Sequence, residues 1–283
     1  MAEFRKIVKY VVPEITMSNP IYIYLLFDVH YFSSQCDVGL LKRTIKEIAD
    51  NPRAYVIIGG DFFDAILPSD RRFDFNILPP EALENLHDLK YMNTVMIKKA
   101  IELLEPIKDK IIVYITGNHE ETAARRFYLD IAGEVGEALN IPVMGYHAYI
   151  ILSFLRKNNN STRGKLRIYV HHGWGYGRLP GSKINNLLKM SWNLNADIYI
   201  SGHTHDYVKH RTKYLDNPGH SDNLIEYEKV FVCVPGLKIS WHSDIRESTY
   251  EERRGYSLPY VGVPRLVIRY SKNKHRYFTE VLP

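Results

Sequence analysis

Metal-binding side chains recur in this sequence directly after short apolar segments. The segments are rich in β-branched and aromatic residues, which is typical of buried strands. The motifs that follow them are Asp28-Val29-His30, Gly59-Gly60-Asp61-Phe62-Phe63-Asp64, Gly117-Asn118-His119-Glu120, His171-His172-Gly173 and Gly202-His203-Thr204-His205. These motifs contain six of the 12 histidines, although histidines with purely structural roles would be expected to scatter along the chain. The pattern therefore predicts one shared site.

The position of the motifs indicates how they could meet. In open α/β sheets, ligands bind beyond the carboxyl ends of the strands. Asp61 follows the apolar residues 54–58, and Gly59-Gly60 supplies a sharp turn before it. Alternate side chains of a strand point the same way, so we expect Asp28 and His30 on one side of the backbone.

The donor types narrow the ligand to a class of metal ions. Carboxylate, imidazole and carboxamide groups together suit Mn, Fe, Zn, Ni or Co better than Mg or Ca, which prefer oxygen ligands alone. The candidate ligands are the six histidines of these motifs, His30, His119, His171, His172, His203 and His205, together with Asp28, Asp61 and Asn118. Such a set is large enough for two ions, which would share a bridging carboxylate at a separation of roughly 3.5–4 Å.

The elements between the motifs predict a parallel sheet with crossover helices. Strands are expected at residues 21–27, 54–58, 111–115, 165–170 and 197–200. Helices are expected at residues 39–49, 81–104, 123–139 and 184–192. Beyond residue 207 the sequence is mostly strands and loops, and no linker divides the chain. We therefore expect a single domain over residues 1–283, with a motif core at 21–206 and C-terminal strands that complete a second sheet.

Composition is that of an ordinary globular protein, with 45% hydrophobic and 24% charged residues. No apolar run approaches the roughly 18 residues of a membrane span, and the first 20 residues lack the apolar region of a signal peptide. Two cysteines are too few for a disulfide framework. We expect a cytoplasmic protein without membrane contact, and its oligomeric state stays open. The net charge of +5 favours anionic partners.

The ordered motifs resemble the calcineurin-like metallophosphoesterase superfamily, whose pattern is D-x-H, G-D, G-N-H-D/E, H and G-H-x-H. Their order, spacing and strand context all agree with that pattern from Asp28 to His205. The resemblance implies an α/β fold, a four-layer αββα sandwich, with a centre for two divalent metal ions at the sheet edge. Mn²⁺ is the favoured ion, with Fe, Zn, Ni and Co as alternatives.

The resemblance also implies a role for each matching residue. Asp28, His30 and His205 would hold the first ion, Asp61 would bridge, and Asn118, His203 and one of His171 and His172 would hold the second. His172 is favoured because it directly precedes glycine. His119 would be the catalytic histidine, which stabilises the transition state or protonates the leaving oxygen. Asp64 would orient a ligand histidine or support the turn. Glu120 stands where many members have Asp, so its role is open.

The expected reaction is hydrolysis of a phosphoester, because two divalent ions would activate water near neutral pH and neutralise phosphate oxygens during in-line attack. Arg125, Arg126 and Arg178 are candidate phosphate contacts. A phosphodiester is favoured, with nucleic acid as a candidate substrate, since Phe73, Phe75, Trp174 and Tyr176 could stack on bases. The alternatives are a phosphomonoesterase or nucleotide hydrolase acting on small molecules, and a non-catalytic metal-binding scaffold.

Overall fold

The computed structural model describes most of the chain. The residues described are 7–65, 78, 92–156, 161–175, 177, 179–217, 223–241, 252, 255, 258–273 and 276–283. They form two six-stranded sheets flanked by helices.

The first sheet carries three of the motifs. Its strands lie in the spatial order β12 (Arg276–Leu282), β11 (Arg265–Ser271), β2 (Ile21–Leu26), β3 (Ala54–Gly59), β4 (Ile111–Ile115) and β5 (Val143–Met144). Strands β2 to β5 are mutually parallel, whereas β11 pairs antiparallel with both β2 and β12. The loops after β2, β3 and β4 therefore leave the sheet at one edge.

The second sheet carries the other two motifs. Its strands lie in the order β1 (Ile7–Val12), β6 (His147–Leu155), β7 (Thr162–His171), β8 (Ile198–Ser201), β10 (Ile225–Cys233) and β9 (Val208–Asp216). Strands β7 and β8 run parallel, so the histidine motifs that follow them also emerge at one edge.

The helices cover the outer faces of the sheets. In the described part of the chain they are α1 (Val38–Asp50), α2 (Met92–Leu104), α3 (Asn118–Phe127), α4 (Ile131–Leu139) and α5 (Pro180–Asn193), with a 3₁₀ helix at Glu105–Lys110. Helices α1 to α4 pack on the first sheet, and α5 packs on the second.

A third hydrophobic cluster lies between the sheets. It joins residues of the first sheet, such as Ile23 and Ile57, to residues of the second, such as Ile150 and Ile168. The order of layers is therefore helices, sheet, sheet, helix, which confirms the αββα sandwich. None of the helices in the described ranges is long and apolar enough to span a membrane.

Two expectations about elements were wrong. The C-terminal strands do not all complete the second sheet, because β11 and β12 extend the first sheet through pairing with β2. The helix expected over residues 123–139 is two helices, α3 and α4. The break lies at Tyr128, whose φ of 55° is left-handed and ends α3, while the Asp130 side chain accepts the Gly133 N–H and starts α4. Only residues 92–104 of the expected helix at 81–104 are among those described.

Candidate metal centre

The candidate ligands sit on unusual backbone. Five of them have positive φ angles, namely Asp28 at 45°, His30 at 50°, Asp61 at 47°, His203 at 70° and His205 at 52°. Residues other than glycine rarely adopt this region, and it costs of order 1–3 kcal/mol each. Asp28 and His30 thus converge through left-handed turns beyond the end of β2, and not through the strand alternation that we expected.

The turns bring the motifs together in three clusters of donor atoms, two of which share His30, and the atoms of each cluster lie within 4.8 Å of one another. The clusters are Asp28 with His30 and His205, Asp61 with His172 and His203, and His30 with Asp64 and His119. Each of the first two contains residues from both sheets. A divalent ion could therefore be held where the rims of the two sheets meet.

Hydrogen bonds orient the ligand atom of His30. Its Nδ1 lies 2.9 Å from Asp64 Oδ1, so the N–H at Nδ1 donates to the carboxylate. The lone pair is then left on Nε2, which lies 3.2 Å from His205 Nε2. Neighbours that fix the imidazole tautomer in this way are common around metal-binding histidines. Asp64 therefore has the orienting position expected of it.

His172, and not His171, lies among the clustered donors. Its Nδ1 is 3.0 Å from the carbonyl oxygen of Gly59, which fixes the N–H there. Its Nε2 faces Asn118 Oδ1 at 3.2 Å and Asp61 Oδ2 at 3.3 Å. His171 belongs to none of the clusters found among the described residues. Adjacent residues at a strand end point to opposite faces, which explains the separation.

Glycines permit this close approach. A Cβ on Gly60, where φ is +88°, would lie 2.7 Å from both His172 Nδ1 and the Gly117 nitrogen. A Cβ on Gly117 would lie 2.2 Å from Asp61 Oδ1. Both distances are far below normal contact, so these two positions require glycine.

The side chain of Glu120 links two of the motif loops. Its buried carboxylate accepts backbone N–H groups from Asp61 at 3.0 Å, Phe63 at 3.1 Å and Gly117 at 2.9 Å. It also accepts the Tyr114 hydroxyl at 3.2 Å. The side chain is thus fully occupied in positioning the backbone, and this resolves the role that the sequence left open.

His119 belongs to the third cluster, with His30 and Asp64, and is held by two aspartates. Its backbone N–H donates to Asp61 Oδ1 at 2.8 Å, and its Nδ1 donates to the Asp64 carbonyl oxygen. Burial lowers the pKa of His119, but the carboxylates of Asp61 and Asp64 outweigh this effect and raise the pKa above its ordinary value. The imidazole therefore binds a proton more readily than an ordinary histidine side chain does.

The other ionisable groups show opposing effects of burial and charge. Burial raises the pKa of Asp28 to about 7. Burial alone would also raise the pKa of Asp61, but His119 and His172 lower it below its ordinary value. Burial lowers the pKa of His203 to about 4 and that of His205 well below its ordinary value. The two histidines are thus kept neutral, as ligands must be.

His172 differs from the other ligand histidines. Burial would lower its pKa, but Asp61 raises it to about 10, so the ring holds a proton when no cation is near. A divalent ion bound to Nε2 would displace that proton.

One atom shows that the site fits a cation. Asp28 Oδ1 is buried and accepts no hydrogen bond from the described residues, whereas Oδ2 accepts the His203 N–H at 2.8 Å. An unpaired buried carboxylate oxygen is costly, and a coordinated cation removes the cost. With the neighbouring imidazoles of His30 and His205, the donor set fits a borderline divalent metal ion.

The described residues include only some of those that were predicted to contact the substrate. Arg125 is largely exposed and pairs with Glu121 at 2.5 Å, and Arg126 is exposed on the same helix. No hydrogen bond or ion pair among the described residues joins either arginine to the clustered donors. Arg178, Phe73, Phe75 and Tyr176 lie outside the described residues.

Sequence reasoning missed Tyr146, which precedes β6. Its carbonyl oxygen accepts the His172 N–H at 2.9 Å, and its ring packs edge-on against the His172 ring with centroids 5.5 Å apart. Tyr146 lies in no motif and only the second sheet brings it to the site, so no sequence signal could have found it.

The motifs and the fold agree with a known family. Residues 28–207 match the calcineurin-like phosphoesterase family, and the chain belongs to that family. It is therefore a metallophosphoesterase by family and by fold. A search of curated proteins finds no match.

Solved structures include similar folds at low identity. A conserved uncharacterised protein from Streptococcus pneumoniae, described as a predicted phosphoesterase, is 13% identical with a TM-score of 0.38, over 93% of this chain and 89% of that one. Vps29 from Entamoeba histolytica, in complex with zinc, is 12% identical with a TM-score of 0.38, over 93% and 98%. A metallophosphoesterase from Sphaerobacter thermophilus is 10% identical with a TM-score of 0.38, over 94% and 89%.

Proposed function

We propose that this protein hydrolyses phosphodiesters with two bound divalent cations, of which Mn²⁺ is the favoured ion and Fe, Zn, Ni and Co are alternatives. The observation that carries the proposal is the pair of donor clusters at the junction of the sheets, one of which contains a buried carboxylate oxygen with no hydrogen-bond partner among the described residues. A cytoplasmic location is part of the proposal, since Cys36 and Cys233 are both free and buried.

The ligands divide between the two ions by position. Asp28, His30 and His205 would hold the first ion. Asn118, His172 and His203 would hold the second, and Asp61 would bridge the two. When bound, divalent ions supply Lewis acidity towards a phosphoryl group and its attacking water. The chain itself orients the imidazoles of His30 and His172 through Asp64 and the Gly59 carbonyl, so that the Nε2 atom of each ring faces the other donors.

His119 is the proposed general acid. Because its Nδ1–H is committed to the Asp64 carbonyl oxygen, the proton available for transfer is on Nε2. The nearby carboxylates of Asp61 and Asp64 hold the pKa of the ring above its ordinary value, which favours the form that carries this second proton. Donation to the leaving oxygen is therefore the role that the surroundings of His119 support.

A diester is favoured over a monoester on charge. A phosphomonoester dianion needs more compensating positive charge than a diester monoanion. Arg125 already pairs with Glu121 in the described part of the rim, which leaves less positive charge for a dianion. The net charge of +5 still favours an anionic polymer such as nucleic acid.

The discriminating experiment compares hydrolysis of bis-p-nitrophenyl phosphate and p-nitrophenyl phosphate in Mn²⁺. Faster turnover of the diester supports the proposal. A strong preference for the monoester would replace it with a phosphomonoesterase or nucleotide hydrolase. Metal binding by calorimetry without hydrolysis of any ester, DNA, RNA or cyclic nucleotide would point instead to a non-catalytic scaffold.

A further inference from the structure

An aromatic surface adjoins the candidate metal centre. Trp174 remains 40% exposed, and its ring meets the edge of the His171 ring at a centroid distance of 5.0 Å. His171 in turn stacks parallel to His147 at 6.0 Å and contacts Tyr146 at 6.0 Å. We call these four residues, Tyr146, His147, His171 and Trp174, the aromatic shelf. Isolated exposed aromatic residues are ordinary, whereas a contiguous exposed surface marks a binding site. Trp174 is the exposed member of the aromatic shelf, and the other three residues are half-buried.

The aromatic shelf is held rigidly at its exposed end. The Gly173 N–H donates to His171 Nδ1 at 2.8 Å, and Asn186 on α5 donates from Nδ2 to the Trp174 carbonyl oxygen at 3.1 Å. Gly173 has a φ of +117°, and a Cβ there would lie 2.6 Å from the Gly202 carbonyl oxygen. The turn that presents Trp174 is thus fixed to both α5 and the loop after β8, so little entropy is lost when a ligand binds.

The aromatic shelf borders the metal centre through Tyr146. The Tyr146 ring contacts both His171 and the ligand histidine His172, the latter at 5.5 Å. His172 itself is fully buried and faces Asp61. A phosphoryl group held near His172 would therefore have its organic substituent close to the aromatic shelf.

A carboxylate that contacts the aromatic shelf is already paired. Glu121 accepts a hydrogen bond from the Tyr146 hydroxyl, and it is also paired with Arg125 at 2.5 Å. The carboxylate is thus compensated. What the aromatic shelf offers is ring surface and imidazole edges, which suit a flat aromatic group.

We infer that the aromatic shelf stacks an unpaired nucleobase next to the scissile phosphate, so that the substrate is single-stranded nucleic acid. This inference rests on the proposed phosphodiesterase function. In nucleic acids each phosphodiester is joined through its sugars to flat aromatic nucleobases, and stacking of bases on aromatic side chains is the usual basis of single-strand binding. Bases in a duplex are already stacked, so a duplex would not offer such a face.

Binding is measured by fluorescence anisotropy of a labelled oligothymidylate in Mn²⁺, with His119→Ala as the background and probe integrity checked on a gel. Trp174→Ala should weaken binding by roughly 5- to 100-fold, the usual effect of losing one stacked base. Trp174→Phe should retain most of the affinity. An abasic oligomer of equal length should bind weakly, and Trp174→Ala should leave that weak binding unchanged. The matched control is Trp192→Ala, since Trp192 is 76% exposed on α5 and should not change the affinity.

Several results would overturn the inference: no oligomer binds, the abasic oligomer binds as tightly as oligothymidylate, a duplex binds as tightly as the single strand, or Trp174→Ala binds like the parent. Melting temperatures show whether each variant is folded.

Failure of the proposed function can be distinguished from failure of the inference about the aromatic shelf. If wild-type protein hydrolyses bis-p-nitrophenyl phosphate but binding is independent of the base, only the shelf is rejected. If it binds oligothymidylate through Trp174 but hydrolyses nothing, only catalysis is rejected.

Discussion

At the scale of single residues, the site is built from groups that each destabilise the folded state when no ligand is bound. Asp28 is a buried carboxylate with one oxygen that accepts no hydrogen bond from the described residues. Asp61 and His203 adopt left-handed backbone, which few residue types favour. Such costs persist when surrounding contacts enforce the conformation and when a ligand benefits from it.

His119→Ala tests the general acid. The side chain belongs to neither proposed ligand set, so the variant should bind Mn²⁺ like the wild type. Loss of a general acid should reduce the turnover of bis-p-nitrophenyl phosphate by about 10²- to 10⁴-fold. Calorimetry measures the first quantity and steady-state kinetics the second. Turnover equal to that of the wild type would remove the catalytic role of His119.

Asp28→Asn tests the cost of the buried carboxylate. The carboxamide oxygen can still accept the His203 N–H, and the buried charge is gone. In EDTA at neutral pH the variant should be more stable than the wild type by about 1–3 kcal/mol, while its affinity for Mn²⁺ should fall.

The advantage of Asp28→Asn should depend on pH. Burial raises the folded-state pKa of Asp28 to about 7, so the wild type binds this proton more tightly when folded than when unfolded. The stabilising effect of that proton is complete below the unfolded pKa of about 4 and is lost as the pH rises to about 7. The two proteins should therefore unfold alike in acid and differ at neutral pH in denaturant titrations. Lower stability of the variant in EDTA at pH 7 would contradict the argument.

At the scale of elements, the loop after β3 and the start of α3 form one unit through Glu120. This carboxylate accepts hydrogen bonds from both segments and from Tyr114 in β4. It fixes Asp61 and His119 relative to each other, since the His119 N–H then reaches Asp61 Oδ1.

Glu120→Gln should therefore destabilise the fold. A carboxamide has one acceptor oxygen, so about two of the buried donors would be left without a partner, at about 1–3 kcal/mol each. Denaturant unfolding monitored by circular dichroism measures the loss. Glu121→Gln is the matched control on the same helix. Its ion pair with the exposed Arg125 should contribute less than about 1 kcal/mol. Equal effects in the two variants would exclude the proposed linking role.

At the scale of the whole molecule, the metal centre connects two layers. Asp28, Asp61 and Asn118 follow strands of the first sheet, whereas His172, His203 and His205 follow strands of the second. The clusters mix the two sets. A bound ion would therefore link the sheets in addition to the hydrophobic cluster between them.

Metal removal should reveal that link. A ligand that binds only the folded state stabilises it by about 2.7 kcal/mol at a concentration of 100 times its Kd. Thermal unfolding in Mn²⁺ should thus occur at a higher temperature than in EDTA, and His205→Ala should show a smaller increase. An identical melting temperature with and without Mn²⁺ would show that the clusters do not bind the ion.

The ordered motifs identified the family by resemblance, and that resemblance implied the layered α/β fold. The gathering of the motifs at one site was predicted from local patterns, because β-branched runs form strands and the residues after parallel strands emerge at one edge. Asp28, Asp61 and the Gly202-His203-Thr204-His205 segment were identifiable for that reason.

Only the tertiary structure decided how β11 and β12 pair, which of His171 and His172 faces Asp61, and that Tyr146 joins the site. It also assigned Glu120 to the backbone N–H groups of two loops. Each of these depends on contacts between residues distant in the chain. The strand pattern that predicts an element does not specify its partner, and one residue of register decides which histidine faces the metal centre.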